Sequence, residues 1–192
     1  MTIRFGRKSG VYYQFSNFYG SKLVFQGIEY RNSEAAFQAM KSLNENVRKE
    51  FSCLTGGQAK KKGRQVLLRP DWERVKFDIM CDILYDKFTQ NSELKNLLLS
   101  TNYDLLIEDT TAWHDNNWGC CSCYKCKSKV SKNMLGMALM KVRSKISGNP
   151  FVAKFMLMDK EYTLDFESEE YLNIIETAEG KTMMSNIFKY SK

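Results

Sequence analysis

At 192 residues, 43% hydrophobic and 13% aromatic, the chain has material for a sizeable core in one domain with an appendage or in two small domains. No apolar run approaches the ~20 residues of a membrane-spanning helix, and no apolar stretch follows Met1-Thr2-Ile3-Arg4-Phe5-Gly6 as in a signal peptide, so no membrane partner and a cytoplasmic location are expected. The net charge of +7 is uneven: residues 1–150 hold 24 basic and 14 acidic side chains, residues 151–192 hold 5 and 8. A body that basic favours phosphate-bearing partners such as nucleotides or nucleic acid, although a solvated lysine-rich surface gives the same count.

Taken in order, Phe15-Ser16-Asn17-Phe18-Tyr19 is an aromatic stretch running into Gly20, a loop or strand end beside a site. Leu23-Val24-Phe25 and Ile28-Glu29-Tyr30 read as short strands with a hairpin turn at Gln26-Gly27. Asn32 or Ser33 is an N-cap type, and the helix it opens is predicted to run through Ser42. On it Glu34, Gln38 and Lys41 fall at i, i+4 and i+7 and share a face. The glycine-led basic segment from Gly56 to Arg64 predicts a short helix ending near Gly63. Pro70-Asp71-Trp72 opens a longer helix reaching Phe88, with Met80, Leu84 and Phe88 as its buried stripe. Ser92 caps a short helix bearing Leu94, Leu97 and Leu98, and the residues from Leu105 to Glu108 read as a strand. A helix from Asn133 to Ile146 turns Leu135, Leu139 and Val142 inward. Gly148-Asn149-Pro150 then separates a domain of residues 1–148 from an extension of residues 149–192, itself read as a hairpin (Phe155 to Met158, Tyr162 to Phe166) and a helix from Ser168 to about Ala178.

The stretch from Trp113 to Cys126 carries two of the three tryptophans, the only histidine and four of the six cysteines. Aromatic, carboxylate and amide groups crowded into one connection suit a flat polar ligand, with Asp115 as the acid, but an Asp-Asn-Asn run also forms Asx-turns. His114 reads as a hydrogen-bonded loop histidine, since no serine or cysteine nucleophile motif accompanies it. Cys120, Cys121, Cys123 and Cys126 are candidate ligands of a structural zinc; four thiols within seven residues make a cramped chelate unless another segment contributes, and the alternative is a reduced, cysteine-rich loop. On the early helix, a first-turn Glu34 is favoured by the dipole, and a desolvated Lys41 becomes a nucleophilic amine. An ordinary solvent-facing Glu and Lys would show the same spacing.

Several motifs in register resemble the YbiA-like or NADAR domain family: Phe15-Ser16-Asn17-Phe18, Ser33-Glu34 with Phe37-Gln38-Ala39 and Lys41, Gly63-Arg64, Trp72 with Lys76, and Lys87-Phe88. Leu98-Leu99, Leu106-Ile107-Glu108 with Thr110, Asp115 with Trp118-Gly119, and Asn133 with Leu135-Gly136 and Arg143 continue the series. The resemblance spans Phe15 to Arg143 and implies a mostly helical α+β domain that hydrolyses N-glycosidic bonds at ribose C1. It implies that Glu34, Lys41 and Asp115 are catalytic, and that Phe15, Asn17, Phe18, Gln38, Gly63, Arg64, Trp72, Trp118, Gly119 and Asn133 bind substrate. It departs from the family at Ala35, where a histidine is frequent, and after Trp118-Gly119, where cysteines replace a glycine- and aspartate-rich segment.

Two substrate classes go with such domains: ADP-ribose attached to guanine in nucleic acid, and phosphoribosylamino-pyrimidine intermediates of riboflavin synthesis. The basic body favours the first. Cleavage builds positive charge on the sugar and negative charge on the leaving base, so a carboxylate near C1 and a donor at the base suffice without a cofactor. Direct attack by water and a Schiff base on Lys41 both remain open. The rivals are a non-catalytic reader of ADP-ribose and a zinc-dependent nucleic-acid-binding module.

Overall fold

The computed structural model describes residues 1–6 and 10–192. Its elements begin with strand β1 (Thr2–Phe5), the strands β2 (Leu23–Phe25) and β3 (Ile28–Tyr30), and helices α1 (Ser33–Ala39), α2 (Glu45–Lys49) and α3 (Gly56–Lys62). Helices α4 (Trp72–Thr89) and α5 (Ser92–Leu99), strand β4 (Leu105–Glu108) and helix α6 (Met134–Ser147) follow. The chain ends with strands β5 (Val152–Leu157) and β6 (Lys160–Asp165) and helices α7 (Glu169–Glu176) and α8 (Ala178–Tyr190). Small two-stranded sheets among more numerous helices make the class α+β, as the resemblance implied. The chain divides into two compact units, residues 14–98 and residues 1–13 with 99–192.

In the unit of residues 14–98, β2 and β3 form the anticipated hairpin, with Leu23 opposite Tyr30 and Phe25 opposite Ile28. Gln26 and Gly27 both take positive φ, +49° and +77°, as a two-residue turn matched to the strand twist requires. Asn32 caps α1, its side-chain oxygen accepting from the Ala35 amide at 2.8 Å. All seven residues of α1 are buried, and three of them are alanines, which lets α3 and α4 pack close. α3 starts with a capping box between Thr55 and Gln58. α4 buries the anticipated Met80, Leu84 and Phe88, and the Phe88 ring meets Phe15 edge-on at 6.0 Å. Beside Phe88, Lys87 is fully buried, and its ammonium donates to the carbonyls of Gln14 at 2.7 Å and Ser16 at 3.0 Å. That lysine fixes the Phe15 turn to α4. Burial pushes its pKa down to about 7.

In the other unit β1 pairs in parallel with β4, with Ile3 opposite Leu106, and α6 packs on β4. Asn133, in the left-handed conformation at φ +49°, accepts from the Glu108 amide and donates to the Leu106 carbonyl, so one side chain pins the strand to the start of α6. The C-terminal hairpin β5–β6 joins this unit through Lys154, whose amide donates to the Tyr103 carbonyl at 2.6 Å. Arg4 donates to the carbonyls of Phe188 and Lys189 at 2.9 and 3.1 Å, a cation on the C-terminal end of α8.

The sequence did not announce three elements: β1, α2 and α8. It also placed the end of α1 at Ser42, whereas the helix ends at Ala39. Tighter i to i+3 turns take over there: the Lys41 amide donates to Gln38 and that of Ser42 to Ala39, while the Lys41 carbonyl accepts from Arg69.

Candidate active site

Within residues 14–98 one continuous set of contacts links Asn17, Glu34, Gln38, Lys41, Gly63 and Trp72. The Asn17 carbonyl accepts from the Glu34 amide at 3.0 Å, which sets the aromatic stretch against the first turn of α1. Glu34 is 6% exposed, and its carboxylate accepts from the Gln38 amide group at 2.9 Å. Gln38 lies against Gly63: a Cβ at residue 63 would stand 2.0 Å from the Gln38 Oε1, so only glycine lets α3 end there. The Lys41 ammonium donates to the Gly63 carbonyl at 3.2 Å and stands 5.9 Å from the centre of the Trp72 ring. Trp72 is itself held against Phe37, ring centres 5.0 Å apart. Lys41 thus stays near Glu34 although it lies past the helix, because the i to i+3 turn keeps it on the same side.

Electrostatically, burial lowers the Lys41 pKa, the charge of Glu34 opposes that, and Arg64 and Lys60 add to the lowering. Among the described residues, the buried oxygens Gln38 Oε1 and Asn17 Oδ1 have no hydrogen-bond partner. Buried acceptors of that kind are rare in folded proteins and suit a ligand's donors. Phe18 is partly exposed above Gly56 with the Lys60 ammonium 5.7 Å from its ring centre. Arg64 is exposed. Phe15, expected among the substrate contacts, is fully buried in the core against Phe88.

In the other unit Asp115, Trp118, Gly119 and Asn133 share one loop system. The Asp115 carboxylate accepts from the amides of Asn117 at 2.8 Å and Trp118 at 3.1 Å, the Asx-turn that its sequence also allowed. Its carbonyl accepts from the Thr110 hydroxyl. The carbonyls of Asn117 and Trp118 accept from the amides of Met134 and Leu135, which opens α6. Gly119 is forced by close approach, since a Cβ would lie 2.1 Å from the Thr110 methyl and 2.8 Å from the Glu108 carbonyl. Asn133, expected among the substrate contacts, is fully buried, and both its amide atoms bond β4.

The cysteines separate into two groups. Cys121, Cys123, Cys126 and His114 place their donor atoms within 4.8 Å of one another. Cys120 is not among them: its backbone bridges Asp109, so its side chain faces the opposite way from that of Cys121. The thiol of Cys120 is instead buried beside Ser131 and Arg4. His114 joins the cluster because it takes φ +61° with its amide donating to the Thr110 carbonyl at 2.7 Å, which folds the loop back over the cysteines. In the sequence only its nearness to the cysteine run marked it.

Comparison with known proteins agrees with the fold. The model of the NADAR domain family matches residues 4–147. N-glycosidase YbiA of Escherichia coli is 36% identical over 151 residues, 76% of this chain and 88% of that protein. N-glycosidase Npun_R5314 of Nostoc punctiforme is 31% identical over 152 residues, 76% of this chain and 93% of its own. The solution structure of Escherichia coli YbiA superposes with a TM-score of 0.65 at 36% identity, over 76% of this chain and 84% of that one. The chain belongs to the NADAR domain family. Its class is that of an N-glycosidase, given the identity to curated N-glycosidases over three-quarters of its length. The chloroplastic riboflavin biosynthesis protein PYRR of Zea mays is 37% identical over 92 residues, 48% of this chain but 14% of that protein.

Proposed function

We propose that the enzyme removes ADP-ribose from guanine bases of nucleic acid by hydrolysing the N-glycosidic bond at ribose C1, with Lys41 and Glu34 as its reacting groups. The observation that carries this reading is the half-buried Lys41 ammonium held between the Gly63 carbonyl and the Trp72 face, in the field of the buried Glu34. Burial favours the neutral amine, the form that attacks carbon. In this route the sugar ring opens to an imine of the base, and the Lys41 amine adds to C1. The base leaves with the proton that Glu34 relays, and water hydrolyses the lysine imine, freeing the sugar aldehyde and restoring the amine. One water is consumed, as in direct attack. Gln38 Oε1 and Asn17 Oδ1 are available to sugar hydroxyls, and Lys60, Lys61 and Arg64 supply positive charge for phosphates. Asp115 stands in the other unit, and its contribution is a separate test through Asp115→Asn.

A second substrate is favoured by the partial match to the riboflavin biosynthesis protein: a phosphoribosylamino-pyrimidine. Incubation with ADP-ribosylated guanine in DNA and, in parallel, with that ribosylamine should release ADP-ribose from the first. Release of ribose phosphate from the second alone would move the assignment. Glu34→Gln and Lys41→Met should each lower the rate by ~10²–10⁴, the usual contribution of one acid–base group. Borohydride added during turnover should reduce the imine to a stable adduct on Lys41. An enzyme that turns over under borohydride without any adduct uses water directly.

A further inference from the structure

We infer that His114, Cys121, Cys123 and Cys126 form a structural zinc site of the Cys3His type, with Cys120 excluded. The imidazole Nδ1 lies 3.4 Å from the Cys121 sulfur, 3.3 Å from that of Cys123 and 3.8 Å from that of Cys126. A tetrahedral zinc at about 2.3 Å from sulfur and about 2.0 Å from nitrogen places those atoms roughly 3.5 Å apart. The observed edges bracket that value. Hydrogen bonding does not account for the arrangement: one imidazole nitrogen offers a single lone pair or a single N–H, and three sulfurs converge on it. A disulfide would use two of the thiols and leave the third sulfur and the ring without a reason to meet them. A divalent cation satisfies all four donors at once, and three thiol protons leave to solvent as it binds.

The surroundings fit a charged centre. Three thiolates, one neutral imidazole and Zn²⁺ carry a net −1, and the same loop is rich in lysine, with Lys125, Lys127, Lys129 and Lys132. The nearly buried ammonium of Lys189, on α8, donates to the carbonyls of Cys126, Lys127 and Lys129 and so fixes the last ligand from the C-terminal segment. The Asn116 side chain accepts from the Cys121 amide at 3.3 Å and from the Ser131 hydroxyl at 2.7 Å, holding the first cysteine. With four protein ligands no position is open to water, so the metal braces the loop bearing Asp115 and Trp118 and performs no chemistry.

The test uses the full chain, purified under reducing conditions with zinc supplied. Elemental analysis should find about one zinc per chain, and X-ray absorption should fit three sulfurs and one nitrogen around it. His114→Ala and Cys123→Ser should lose the metal to a chelator that the parent chain resists, while Cys120→Ser keeps it in full. A parent chain that takes up no zinc even after reconstitution overturns the site. A shell of four sulfurs, or metal lost on Cys120→Ser, overturns the ligand set. The absorption measurement needs no variant, so a misfolded substitution leaves the answer intact, and none of these readings depends on glycosidase activity.

Discussion

At the scale of single residues, backbone neighbours decide which side chains can act. Gly63 allows Gln38 and the end of α3 to meet, so Gly63→Ala drives a methyl group into the Gln38 amide. The expected cost is ~1–3 kcal/mol, the range for overpacking, read as a lower denaturant midpoint, with lower activity because Gln38 holds Glu34. Lys87 makes a prediction in pH. Its folded pKa is near 7 and its unfolded value near 10.5, so between those values the unfolded chain keeps a proton that the folded chain has released. Stability therefore rises with pH across that window, by at most ~1.4 kcal/mol per pH unit, and below pH 7 the full burial cost is present. Lys87→Met should flatten this rise in urea titrations at pH 7 to 10, whatever its effect on stability itself. Glu34, Gln38 and Lys41 were legible because helical spacing and motif agreed. The part His114 plays was not: it depends on a positive φ and a loop reversal that no spacing rule encodes.

At the scale of elements, the sequence was readable wherever caps and apolar stripes pointed the same way. α4 and α6 bury the residues their periodicity named, and Gln26-Gly27 turns the hairpin as its composition required. β1 has four residues whose partner lies about a hundred positions later, and that parallel pairing has no local signature. α2 buries none of its five residues and so shows no stripe. α8 does bury Met184, Ile187 and Phe188 at helical spacing, a pattern available to a closer reading. Substrate roles for Phe15 and Asn133 came from motif alone; in the fold the Phe15 ring packs on Phe88 and the Asn133 side chain bonds β4. Asn133→Ala would leave the Glu108 amide and the Leu106 carbonyl without their partners in a dry interior. Each orphaned group costs ~1–3 kcal/mol, so the variant should melt well below the parent chain in a thermal scan.

For the whole molecule, the uneven charge becomes a statement about substrate. Residues 1–150 hold ten more basic than acidic side chains, and the family match at residues 4–147 covers nearly the same span. No helix among the described residues is long and apolar enough to cross a membrane. A basic surface that merely keeps the protein soluble leaves turnover almost indifferent to salt. One that grips nucleic acid releases counterions, with a slope of about −0.9 in log affinity against log salt for each phosphate engaged on duplex DNA. With about four such contacts, kcat/KM on ADP-ribosylated DNA should fall roughly 100-fold between about 50 and 200 mM salt. A free ribosylamine bearing one phosphate has no condensed counterion layer to release, so its kcat/KM should fall far less over the same range. Equal, shallow slopes on both substrates would mean that the lysines do not touch the polymer, and the case for a nucleic-acid substrate would then rest on the released product alone.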